Sequence, residues 1–401
     1  MRKLGIVMAV VLGAGCRVGF QERPDGQPPA DAIPPDAPAL LSCGSATRFP
    51  MVKAPQQLAA TATADGYNLI TSDGSEVRGF SYRFVNNALV AQRGDVPLFS
   101  GVVGEITTIT TGGQTLLGVT SGPATPPVFA PGAGFQDLQL YDTTTLISLD
   151  AQLGMAGAPT THKAWVGGIG SLARNGSGTL GFLGTQVPSD GEVNVRIVAF
   201  DGMAEGPPHV VIPSGGRAPS LTAAGDEFLV VWDSYSETSE KVRASLHAMT
   251  STSFVTRVAA TLISTDPMND AFNARAAHLA ATGTSLIAWT QKPGDPLDHI
   301  WISLRDRDLN EIVTKEVGQG NQAMVVAGER DFLVVWRIDG IRLAAVRVTP
   351  EGVVQPVTIE GTARDALGMD LVVRNGQPAL VWIEASDNGG ATVRFDPLCG
   401  G

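Results

Sequence analysis

The five histidines, His162, His209, His247, His278 and His299, are scattered, and no two stand at the spacing by which neighbouring side chains share a metal. Asp298-His299 follows Asp295, but Pro293, Gly294 and Pro296 make that stretch a turn rather than a ligand cluster. Asp387-Asn388-Gly389-Gly390 is too short for a calcium loop, which needs alternating carboxylates, and reads as a hairpin turn. Gly176-Ser177-Gly178-Thr179-Leu180-Gly181 has dinucleotide-binding spacing, yet it joins two strands instead of opening a helix. A Gly-x-Ser-x-Gly nucleophile elbow is not found. A Ser/His/Asp triad, or paired carboxylates for glycoside chemistry, assembled from distant loops leaves no mark in a linear sequence. No catalytic, cofactor or metal residue is assigned.

What remains is a set of polar side chains between apolar runs: Tyr235, Glu237, Asp270, Asn273, Asp295, Asp298 and Asp387. Their chemistry is recognition by hydrogen bond and charge, on an acidic loop face; the alternative reading is solvated loops. The net charge is −11, and loss of the first fifteen residues, with Arg2 and Lys3, leaves −13. A nucleic-acid backbone is repelled by such a chain, so nucleic acid is not expected as a partner.

The elements that must position these residues repeat. Phe-Leu-Val-Val-Trp at 228–232 returns as Leu-Ile-Ala-Trp at 286–289, Phe-Leu-Val-Val-Trp at 332–336 and Ala-Leu-Val-Trp at 379–382. The markers Trp232, Trp289, Trp336 and Trp382 are 57, 47 and 46 residues apart. Upstream, Phe182, Val119 and Ile70 extend the series at intervals of 50, 63 and 49. Seven units result. In the fourth, Pro219 to Ala223, Glu227 to Trp232, Lys241 to Met249 and Arg257 to Ser264 are strands, with a polar loop from Asp233 to Glu240. Four short strands per unit predict an all-β fold, a seven-bladed β-propeller of four-stranded antiparallel blades. The phrase is the second strand from the axis, buried on both faces, its Trp packing between blades. The competing architecture is a pair of β-sandwiches. The units resemble bacterial secreted β-propellers with degenerate Val-Val-Trp blades, and the resemblance implies architecture only.

Met1-Arg2-Lys3 and the apolar stretch Leu4 to Leu12 form a secretion signal too short to span a bilayer permanently. Gly13-Ala14-Gly15-Cys16 resembles the lipobox of bacterial lipoproteins, although Gly13 stands where that family usually has Leu. The resemblance implies cleavage after residue 15 and acylation of Cys16, a lipid anchor in the membrane. With Arg17 next, it implies the outer membrane of a double-membraned envelope. Residues 16–42, with six prolines among Asp, Gln and Ala, read as an extended tether. The propeller domain is 43–401.

The seventh unit has only three strands, Met369 to Val373, Pro378 to Trp382 and Ala391 to Phe395. Ala46 to Val52 belongs to no unit and is expected to complete it, closing the ring. With Cys16 acylated, Cys43 and Cys399 remain, one just before that segment and one just after the third strand. They are expected to form a disulfide in an oxidising compartment, two free thiols being the alternative. The resulting expectation is a cell-envelope lipoprotein that binds or scaffolds through its propeller loops without cofactor, with an envelope protein or polysaccharide as partner. The alternatives are a polysaccharide-active enzyme with axial carboxylates and a structural subunit of an envelope complex.

Overall fold

The apolar phrases are the second strands of seven antiparallel sheets. The computed structural model describes residues 47–398 apart from 52–54, 56, 87, 112, 123–142, 164–171, 187–193, 202–203, 206–208, 213–215, 236–238, 251–252, 265, 267–268, 293–296, 339–341, 360–365, 386–390 and 397. Each sheet is a meander running outward from the axis. The inner strands of blades 1 to 7 are Gln57–Thr63, Val103–Thr111, Leu172–Arg174, Gly216–Ala224, Asp270–Leu279, Asn321–Ala327 and Ala366–Arg374. The second strands are Gly66–Ser72, Gln114–Ser121, Leu180–Gln186, Glu227–Tyr235, Thr284–Lys292, Phe332–Ile338 and Gln377–Ala385. The third are Glu76–Val85, Thr143–Leu149, Asn194–Asp201, Glu240–Met249, His299–Arg305, Arg342–Val348 and Ala391–Asp396. The outer strands of blades 1, 2, 4, 5 and 6 are Ala88–Ser100, Thr160–Lys163, Phe254–Leu262, Glu311–Gln319 and Val354–Val357. In blade 3 the outer strand is in two pieces, Ala204–Glu205 and His209–Ile212, both paired with the third strand. In blade 7 it is Thr47–Met51, antiparallel to Ala391–Asp396 with Thr47 opposite Phe395. The inner strand of every blade lies against those of its two neighbours, blade 7 beside blade 1 included. The fold is a seven-bladed β-propeller.

Burial explains the phrase. A strand presents alternate residues to opposite faces, so a strand covered on both faces must be apolar throughout. Phe228, Val230 and Trp232 pack with Leu183, Ile197 and Ala199 of blade 3. Leu229 and Val231 pack with Ala274, Ile287 and Trp289 of blade 5. The parity repeats: Trp336 joins the core shared with blade 5, and Trp382 the core shared with blade 6. Every phrase-ending Trp thus faces the preceding blade. In blade 1 the residues with this parity are Tyr67 and Leu69, which pack on blade 7, whereas Ile70 faces blade 2. The expected marker Ile70 is therefore one residue out of phase, because an unbroken apolar run does not reveal which face each residue takes.

Glycines make room for the large rings. A Cβ on Gly318 would lie 2.6 Å from Cζ2 of Trp336, and Gly320 has φ +139°. The outer strand of blade 5 therefore passes close over the indole, whose Nε1 donates to the Gln319 carbonyl at 2.9 Å. Between blades 7 and 1, Phe49, Tyr82 and Phe395 form a cluster with ring centroids 4.5 to 5.9 Å apart. Arg374 of blade 7 lies over Phe84 of blade 1 and donates to the Ala64 carbonyl at 2.8 Å.

Candidate functional site

The first halves of the inner strands surround an axial cavity of about 590 Å³. Because strands alternate in direction, the face where inner strands begin also carries the second-to-third-strand connections and the crossings between blades. The cavity walls come from every blade, and its polar groups include Glu105, Asn273, Arg275, Gln322, Arg337 and Asp370.

In five of the seven blades the inner strand does not enter this cavity as a regular ladder. Pairing with the second strand slips between Val103 and Ile106, Arg217 and Ser220, Phe272 and Arg275, Asn321 and Met324, and Ala366 and Gly368. Such bulges leave backbone N–H groups outside the ladder. Ala218, Asn273 and Gln322 sit in them at φ 43°, 57° and 55°. The freed groups are taken up by side chains from the neighbouring blade. Asp233, directly after Trp232, accepts from the Asn273 N–H at 2.8 Å. Thr290, directly after Trp289, accepts from the Gln322 N–H at 3.2 Å. Gln57 of blade 1 accepts from the Ile106 N–H at 3.0 Å; on the regular inner strand of blade 1, Asp370 of blade 7 accepts from the Ala60 N–H at 2.7 Å. These latches satisfy backbone donors that would otherwise be buried unpaired.

The latching carboxyls are perturbed. Burial pushes Asp233 up to about 7, against the pull of the Asn273 and Ala274 amides and the Arg275 guanidinium. Burial likewise pushes Asp370 up to about 7, although it accepts from Ala60 and from its own Leu371 N–H at 2.8 Å. Arg275 is lowered by burial and raised by Asp233 and Glu105. Arg337 is lowered by burial, with no acidic group opposing it.

The expected recognition residues fare differently. Asn273 lines the cavity. Asp270 opens the inner strand of blade 5, and its Oδ1 accepts from the Glu240 N–H at 2.9 Å, so this carboxylate fastens blade 4 to blade 5. The carbonyl of Asp298 accepts from the Gly320 N–H at 2.8 Å. Tyr235 is not in a loop: the second strand of blade 4 continues through it, paired with Glu240. Strand pairing therefore continues two residues beyond Asp233, which is 3% exposed. A buried acid can extend the strand there because the next blade supplies it with amides. Glu237, Asp295 and Asp387 lie outside the described residues, as do Cys16, Cys43 and Cys399. The cavity's Arg275, Arg337, Gln322 and Asp370 are absent from the sequence-based set. For Arg337 the residue after the Trp was the available signal: it is Asp233, Thr290 and Arg337 in blades 4 to 6 and the apolar Ile383 in blade 7.

No protein-family model and no curated protein matches the sequence. Solved structures share the fold. A polysaccharide lyase, an ulvan lyase, superposes with a TM-score of 0.55 at 11% identity, over 86% of this chain and 93% of its own. The hydrazine synthase of Kuenenia stuttgartiensis superposes with a TM-score of 0.52 at 10% identity, over 85% of this chain and 95% of its own. At such identity the likeness is one of fold. A scaffold common to these two does not choose between chemistries.

Proposed function

We propose that this chain is an envelope lipoprotein whose propeller receives a ligand at its axial mouth without transforming it. One observation carries the binding reading. The carboxyls with raised pKa, Asp370 in the cavity wall and Asp233 behind it, are occupied as acceptors for backbone N–H groups across blade junctions. An acid or base committed to holding two blades together is poorly placed to exchange protons with a substrate. Besides Glu105, which stands by Arg275, the cavity offers guanidinium and amide groups, which orient a ligand.

The anchor in this proposal is acylated Cys16, with residues 17–42 holding the propeller off an outer membrane. At about 3 Å per residue an extended tether reaches tens of Å. The ring is held shut by the Thr47–Met51 strand on blade 7 together with a Cys43–Cys399 disulfide. Mass spectrometry of the mature N-terminus and a non-reducing peptide map test anchor and disulfide. A mature chain beginning elsewhere than Cys16, or free thiols at 43 and 399, overturns the respective part.

The binding reading is tested with a Cys16→Ser chain screened against envelope glycans and envelope proteins by thermal shift and calorimetry. Thr108 lines the cavity on an inner strand, so Thr108→Trp fills the mouth. The expected result is a ligand bound by the parent, lost from Thr108→Trp and recovered chemically unchanged. A ligand retained by Thr108→Trp, or one recovered cleaved, refutes the proposal.

A further inference from the structure

Three charged groups of the cavity lining, Glu105, Arg275 and Arg337, lie outside the latches. Arg337 occupies in blade 6 the position that Asp233 and Thr290 occupy in blades 4 and 5, directly after the Trp. Those two accept N–H groups from the next blade's bulge. A guanidinium has five donors and no acceptor, so Arg337 cannot do the same. Among the described residues its guanidinium makes no hydrogen bond and no ion pair, and its Nε is buried without a partner.

The other partly buried arginines differ. Arg275 has Asp233 and Glu105 beside it. Arg305 pairs with Glu311 at 3.1 Å, Arg347 with Asp331 at 2.9 Å and Arg394 with Glu384 at 2.6 Å. Arg337 alone of this group faces a cavity with no described acid to neutralise it. Removing a cation from water without a counter-charge is unfavourable, and a ligand anion relieves it. The planar fork of a guanidinium matches the two oxygens of a carboxylate. Asn273 and Gln322, held at the bulges, add amide groups to the same walls, and amides pair with hydroxyls. The volume suits a small polar ligand or the end of a longer one.

We propose that Arg337 is the anion-binding group of the axial cavity and that its ligand is a hydroxyl-bearing carboxylic acid, the chemistry of a sugar acid. This rests on the axial binding function proposed above.

The test is calorimetry on the Cys16→Ser chain with glucuronate, glucose, sulfate and phosphate as probes. Glucuronate should bind at least about tenfold more tightly than glucose, as charge-assisted hydrogen bonds imply. Arg337→Gln should abolish that preference. Arg337→Lys should restore part of it, because a point charge lacks the fork. Equal binding of glucuronate and glucose, or a preference that survives Arg337→Gln, overturns the assignment while axial binding stands. Glucose and glucuronate binding that both survive Thr108→Trp overturns axial binding itself. Sulfate or phosphate binding as tight as glucuronate overturns the sugar acid in favour of a free oxyanion. Without ligand, Arg337→Gln should unfold no earlier than the parent chain. Earlier unfolding would mean that Arg337 has a structural partner, and it too overturns the proposal.

Discussion

Asp370→Asn gives the sharpest check on the latches. The carboxyl of Asp370 accepts from the Ala60 N–H of blade 1 at 2.7 Å and from its own Leu371 N–H at 2.8 Å. Burial raises it from 3.8 to about 7. In the unfolded chain it titrates near the ordinary value. Between these two values the folded state holds a proton that the unfolded state has released, so stability falls as pH rises. The contribution is fully present below 3.8 and is lost by about pH 7. Three units at about 1.36 kcal/mol each amount to about 4 kcal/mol. Asparagine keeps a carbonyl acceptor for Ala60 and does not ionise. At pH 4 the variant should lie within about 1 kcal/mol of the parent, the worth of one rearranged hydrogen bond. At pH 9 it should be the more stable by about 3 kcal/mol, the ionisation term less that bond. Urea unfolding of both proteins from pH 4 to 9 isolates this residue, because every other titration is common to the pair. A difference that stays constant with pH, or a variant weaker than the parent at pH 9, would refute the reasoning.

Three further outcomes are expected. His247 is buried against Ser245 at 2.7 Å, and burial together with neighbouring His209 lowers its pKa to about 4. It should therefore withdraw about 3 kcal/mol of stability as pH falls from 6.5 to 4, and His247→Gln should remove that acid sensitivity in parallel urea titrations. Trp336→Ala should cost about 3–5 kcal/mol and Gly318→Ala about 1–3 kcal/mol, measured by chemical denaturation. The double variant should fall well short of their sum, because the clash of a Cβ at 318 disappears with the indole. Cys43→Ser should lower stability under oxidising conditions by about 4 kcal/mol and have no effect in reductant, the proposed disulfide spanning more than 350 residues.

Much of the scaffold was legible. The Trp phrases marked the second strands, and the shortfall in blade 7 pointed to the segment that pairs there, Thr47–Met51. The phase in blade 1 was not legible, since Leu69 and Ile70 are equally apolar and only their neighbours separate them. Of the polar residues expected at a recognition face, Asn273 lines the cavity, whereas Asp270 is taken up in joining two blades. Asp233 looked like the first residue of a loop because an acid after an apolar run ordinarily meets water. Its buried place exists only because the inner strand of blade 5 bulges and offers it amides.

From the amino-acid order alone came the class of fold, the number of blades and the burial of the tryptophans. Those properties depend on whether each residue is covered, and coverage imprints a period on the chain. The cavity and its charges were decided by tertiary structure. Arg337, Arg275, Asp370 and Glu105 belong to four blades, and no period relates them. Which of them has an opposite charge beside it and which has none depends on distances across the axis, and that is decided only when the blades stand around it.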